Sequence, residues 1–194
     1  MPQNEVQLVP LCATLPDNLP SARDIVAECR QAYTTALAAA DRSRSTTNQL
    51  RGISLANKSA FVKFSNNLKI GEARIQHFVW ESLEKNASVA VRVPCVYGTI
   101  KTTTFLHIVM EHIEGSVCSL SDVDVTLVAA ALQELITIQG PNKAPGPVNP
   151  GPICHPFFVD YVSSVTYDSV TDLQSHVNGV SVPIPYHPIP LHLC

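Results

Sequence analysis

The sequence has no C-x-x-C pair. Its six cysteines, Cys12, Cys29, Cys95, Cys118, Cys154 and Cys194, are scattered along the chain. No charged-then-apolar leader precedes them, so they read as reduced thiols of a cytoplasmic protein and not as a disulfide framework. Close ligand pairs for zinc are missing too, with Cys154-His155 the one adjacent pair, and no metal is expected. No apolar run reaches the length that a bilayer span requires; the longest candidate, VTLVAAALQELITI at 125–138, is interrupted by Gln133 and Glu134. Basic charge is not in excess: 13 Lys and Arg stand against 16 Asp and Glu, for a formal net charge of -3. Such a balance gives no field for holding a phosphate backbone. Neither nucleic acid nor a membrane is an expected partner, and the sequence contains no internal repeat.

What is present suits a folded domain. Hydrophobic residues make up 45% of the 194 residues and charged residues 15%, enough apolar surface for a core in one domain or in a small sheet lobe joined to part of a second. The first fifteen or so residues, with Pro10 and Pro16, read as a surface arm. Ser21-Ala22-Arg23-Asp24 has the form of a capping box with Asp in place of Glu, and Ile25, Val26, Cys29, Ala32, Tyr33, Ala36 and Leu37 recur at helical spacing. This predicts a helix to about Asp41, followed by the polar loop RSRSTTN.

From Gln49 the period shortens. LRGISLANKSAFVKF predicts two antiparallel strands about an Asn57-Lys58-Ser59 turn. Ile75, Phe78, Val79 and Leu83 mark a helix over about 70–85. VAVRVPCVYGTIK and TFLHIVMEHIEG predict two more strands, the first confined by Pro94 to an edge or a break. A further helix is expected at 121–139, opening near Ser121. The Pro- and Gly-rich stretch 140–152 cannot be a regular element; a last helix is expected at 169–180, before an extended tail with prolines at 183, 185, 188 and 190.

A lysine near the end of a strand, followed by an acid on the next helix, is the arrangement by which kinases orient ATP phosphates: the carboxylate fixes the ammonium and the ammonium meets the phosphates. Lys63 and Glu72 meet that requirement in order and element type. They equally fit a solvated strand-end charge and a first-turn acid favoured by the helix dipole.

Taken in order, FVKF, GEA with Glu72, VPCVYG, FLHIVMEHIEG, VAAALQELITIQGP and GPICHPFFVDY...YDSVTDL...HVNGV resemble the aminoglycoside-phosphotransferase-like (protein-kinase-like) family, fungal type, over roughly residues 49–194. The resemblance implies an α+β fold: a kinase-like N-lobe of small antiparallel sheet and one crossing helix, then a partial helical lobe and a proline-rich tail. It divides the chain into an arm and helix at 1–48, the N-lobe at 49–116 and a partial helical subdomain at 117–194. It makes Lys63 and Glu72 the phosphate-orienting pair, and Met110, Glu111, His112 and Ile113 a hinge whose backbone meets an adenine.

The family's catalytic loop supplies a His-x-Asp and an Asn, followed by a second metal-binding Asp, after a segment like PYHPIPLHLC. Here the chain is expected to stop short of them, and Asp160, Asp168 and Asp172 have no such context. Gly52 stands alone, with no glycine-rich phosphate loop around it.

The expectation is a kinase-like protein without phosphotransfer machinery, binding a small molecule or nucleotide between its lobes. By resemblance alone ATP and magnesium are the ligands to consider. The partners implied are a second copy of the chain or a full-length relative, including the separately encoded half of a split kinase. The alternative is a repurposed enzyme of fungal secondary metabolism that cyclises or rearranges a hydrophobic metabolite. Its candidate acids and bases are Glu72, His112, His155 and Asp160, with Lys63 polarising a carbonyl.

Overall fold

Alternation along Phe61-Val62-Lys63-Phe64-Ser65 fixes the two faces of an interior strand: Val62 and Phe64 are buried, while Phe61, Lys63 and Ser65 point to the opposite face and are half-buried. The computed structural model describes residues 6–43, 51–86, 91–115, 122–141, 144–148, 151–158 and 160–180. In chain order its elements are β1 (Leu8–Pro10), α1 (Ala22–Ser43), β2 (Gly52–Ser54), β3 (Phe61–Ser65), α2 (Ile70–Lys85), β4 (Val96–Lys101), β5 (Leu106–Met110), α3 (Asp122–Thr137) and α4 (Val170–Val180). The strands form one antiparallel sheet of five, in the order β1-β4-β5-β3-β2, so the class is α+β. By compactness the chain divides into Met1–Gln139 and Gly140–Cys194.

Within the first unit both faces of the sheet are covered. Helix α1 starts at Ser21, whose Oγ accepts the Asp24 N–H at 3.3 Å and donates to the Asp24 carboxylate at 2.6 Å. Its Ile25, Val26 and Cys29 are buried against Leu55, Val62, Phe64, Ile100 and Val109. On the other face Ala73 of α2 packs on Val96, Ile108 and Met110. Strand β5 lies between these layers, and His107, Ile108, Val109 and Met110 are all buried, as expected of a strand covered on both sides.

The β2–β3 hairpin turns where the sequence predicts. Lys58 takes a positive φ of 55° and donates its N–H to the Leu55 carbonyl at 2.8 Å. The Asn57 carboxamide oxygen accepts from both the N–H and the hydroxyl of Ser59.

One expectation is corrected. The N-terminal residues are not only a surface arm, because Leu8–Pro10 pairs with β4 as the edge strand and the Leu11 N–H continues the pairing to the Tyr97 carbonyl at 2.9 Å. Pro10 fits an edge position because it has no N–H to donate. A Cβ at Gly98 would stand 2.5 Å from the Val9 carbonyl oxygen, so glycine permits the close approach of the two strands. At Pro94 the break expected of its segment is found and not the edge: residues 91–95 are not strand, and β4, which follows, pairs on both sides.

Helix α3 leaves Val125, Leu127, Val128, Leu132 and Ile136 exposed. In the second unit α4 is capped by Ser169, whose Oγ accepts the Asp172 N–H at 3.1 Å, and an isolated bridge joins Cys154 to Val162. The described part of the Pro- and Gly-rich stretch is neither helix nor strand. The expected loop over 44–48, the start at Ser121, Cys118 and the tail over 181–194 lie outside the described residues. Among the described residues no helix is long and apolar enough to cross a membrane.

Candidate functional site

The alternation that buries Val62 and Phe64 under α1 turns Lys63 toward α2. The loop after β3 returns the chain so that Glu72 stands in the first turn of α2, where the helix dipole favours an acid. The Lys63 ammonium donates to the Glu72 carboxylate, and the two side chains keep 39% and 43% of their surface exposed. They line a cavity of about 330 Å³ together with Tyr33 of α1, Arg51, Phe64, Ser65, Asn66, Asn67, Leu68 and Phe105.

The four residues expected at a hinge converge on a second cavity of about 610 Å³. Met110, Glu111, His112 and Ile113 line it with Ser54, Lys58, Phe61, Pro94, Glu114 and Gly115. Not all of their groups are free. The Met110 side chain is buried under α2, where its Sδ lies 3.4 Å from Gln76 Nε2. The Glu111 N–H donates to the Cys95 carbonyl at 2.8 Å, and its carboxylate holds Arg92 and accepts the Cys95 N–H. Among the described residues no backbone hydrogen bond engages the peptide groups of 112–115. Across the cavity mouth Lys58 Nζ donates to Glu114 at 2.9 Å, a bond that lowers the exposed Glu114 carboxyl below its ordinary pKa.

Phe61 of the second cavity and Lys63 of the first stand two residues apart on one face of β3, roughly 7 Å along the strand. An elongated ligand of ordinary size spans that distance.

Compared with protein-family models, with curated proteins and with solved structures, the chain matches none.

The other two candidate residues belong to the second unit and have local roles. His155 Nδ1 accepts the Phe157 N–H at 3.1 Å, and its own N–H donates to the Tyr161 carbonyl. Asp160 is an exposed residue of that turn. Among the described residues no three His, Cys, Asp or Glu side chains converge as a cation would require.

Sequence reasoning missed Arg51, Tyr33, Asn66, Asn67 and Phe105 at the first cavity. A signal for Arg51 was present in the hairpin: with Gly52 in register with Lys63, the residue before Gly52 lies beside Phe64. Tyr33 had no such signal, because its position follows from how α1 crosses the sheet.

Proposed function

We propose that this chain is a kinase-like binding protein, whose β2–β5 sheet and α2 act as an N-lobe and whose Lys63–Glu72 pair receives the phosphate end of a nucleotide or of another phosphorylated small molecule. The observation that carries this reading is the Lys63–Glu72 ion pair, made across β3 and α2 in the wall of a cavity. It is the relationship by which kinases hold a phosphate-orienting lysine in place. The second cavity supports the reading: among the described residues the peptide groups of 112–115 that line it make no backbone hydrogen bond, and it lies within one ligand's length of Lys63.

The chain binds without transferring. In-line phosphoryl transfer depends on an acid that orients the acceptor and on metal-borne neutralisation of charge. No His-x-Asp-x-x-x-x-Asn motif occurs in these 194 residues, so the reading contains no magnesium-dependent step.

The test is calorimetric titration with ATP, with and without magnesium, of the wild-type chain and of Lys63→Ala, followed by an assay for phosphate transfer to small hydroxylated acceptors. ATP binding that disappears in the variant, with no transfer, is the expected result. Absence of ATP binding by a folded wild-type chain, or transfer of phosphate, overturns the reading.

A further inference from the structure

Charge at the first cavity does not balance. Lys63 and Glu72 neutralise one another, but a second cation, Arg51, lines the same wall. Among the described residues its guanidinium has no hydrogen bond and no ion pair. The backbone at this position is fixed: the Phe64 N–H donates to the Arg51 carbonyl at 2.8 Å, and the next residue, Gly52, is in register with Lys63. The cavity therefore carries one surplus positive charge, held on a short, hydrogen-bonded approach to β2.

Three of the lining residues are aromatic. Tyr33 meets Phe105 edge-on with ring centroids 5.2 Å apart, and Phe105 lies 5.8 Å from Phe64. All three line the cavity, together with Asn66 and Asn67. The volume of about 330 Å³ is at the small end for ligand sites, where a ring with one charged group fits and a large cofactor does not.

We infer that Arg51 is the anion-selecting residue of this cavity, which takes a small compound bearing a terminal phosphate or carboxylate beside a planar apolar group. The inference deepens the reading of Lys63–Glu72 as a phosphate-receiving pair and rests on it only for the identity of the cavity. A guanidinium presents paired N–H donors in a plane and grips a phosphate or carboxylate bidentately, a geometry that an ammonium lacks. Lys63, already held by Glu72, is a point charge of fixed orientation. Arg51 supplies the net attraction, and the Tyr33–Phe105 wall accepts the ring.

The test is calorimetric titration of the full chain with phenyl phosphate, benzoate, inorganic phosphate and benzyl alcohol. It is repeated on Arg51→Gln and Arg51→Lys, with the melting temperature of each recorded. Arg51 is exposed, so both variants are expected to fold. Phenyl phosphate or benzoate binds the wild type, inorganic phosphate binds more weakly and benzyl alcohol does not bind. Arg51→Gln loses roughly tenfold or more in affinity at unchanged melting temperature, and Arg51→Lys recovers only part. The relative strength of phenyl phosphate and benzoate assigns the anion as phosphate or carboxylate.

Affinity of Arg51→Gln within about twofold of wild type for both anions, or equal binding of benzyl alcohol, overturns the inference. ATP binding that is lost in Lys63→Ala but unchanged in Arg51→Gln overturns it while sparing the proposed function. Arg51-dependent binding of phenyl phosphate by a chain that ignores ATP supports it and removes the nucleotide. No binding of any anion by the folded chain overturns both.

Discussion

The Lys63 ammonium and the Glu72 carboxylate meet across the space between strand β3 and the first turn of α2. Neither side chain is deeply buried, so the pair contributes little to folding. Exposed ion pairs lose most of their Coulomb energy to solvent and to side-chain entropy. Lys63→Ala should therefore cost under about 1 kcal/mol of stability while removing the proposed ligand affinity. Urea melts beside the ATP titration check this. A variant that unfolds outright would make the pair a structural element.

Gly98 supplies the second prediction. With Val9 carbonyl oxygen 2.5 Å from where a Cβ would stand, Gly98→Ala must displace β1 from β4. Overpacking of this kind costs about 1–3 kcal/mol. Limited proteolysis should show new cleavage near residues 6–12, together with a lower denaturation midpoint. Gly115, with no atom of the described residues within 4 Å of its Cβ position, is the matched control: Gly115→Ala should leave both readouts unchanged. Equal effects of the two substitutions would mean that the close approach at Gly98 is not what keeps β1 in place.

The comparison of Gly98 with Lys63 shows where sequence reading stops. Lys63 and Glu72 were legible because a period of two followed by a period of 3.6 fixes which side of each element a residue takes. The hairpin turn, α1 and α2 were legible on the same grounds, α1 also from its Ser21 cap. β1 was not: three residues are too short to show a period, and their pairing depends on a glycine nearly ninety positions later. Arg51 and Tyr33 reach the cavity from elements whose apolar patterns say nothing about it. Their meeting with Lys63 is a consequence of strand register and of the path of α1 across the sheet.

His107 makes stability depend on acid. It is buried on β5, with Nδ1 3.2 Å from the Ile100 carbonyl and its ring stacked on Phe64. Burial is the main cause that lowers its pKa below the ordinary 6.5, with the Arg30 charge adding to it. The unfolded chain therefore takes up a proton at a pH where the folded chain does not, and stability falls as pH drops from about 6.5 through the depressed folded value. Thermal melts between pH 7 and pH 5 should show this loss. His107→Phe should abolish that share of the slope, leaving the carboxylate contribution at lower pH. If the variant and the wild type lose stability in parallel over that range, His107 is not the titrating group.

The opposite limb belongs to buried thiols. Burial, with the Glu28 charge, raises Cys29 to about 12 from 9.0. Burial, with the neighbouring Cys12 thiol, raises Cys95 likewise to about 12. An acid whose folded pKa is raised keeps its proton when the unfolded chain has lost it. The stability these thiols contribute is complete below pH 9 and declines as pH rises toward 12, by roughly 1.4 kcal/mol per pH unit for each group. Cys29→Ala removes one of the two groups. Because the side chain packs against Val62 and Phe64 under α1, the variant should also be less stable at neutral pH by the cost of a small cavity. What distinguishes the titration from that constant offset is the slope: between about pH 9 and 10 the variant's stability should fall less steeply than the wild type's, by the share of the one group removed. Parallel curves with a fixed offset would leave Cys29 a packing residue whose proton plays no part.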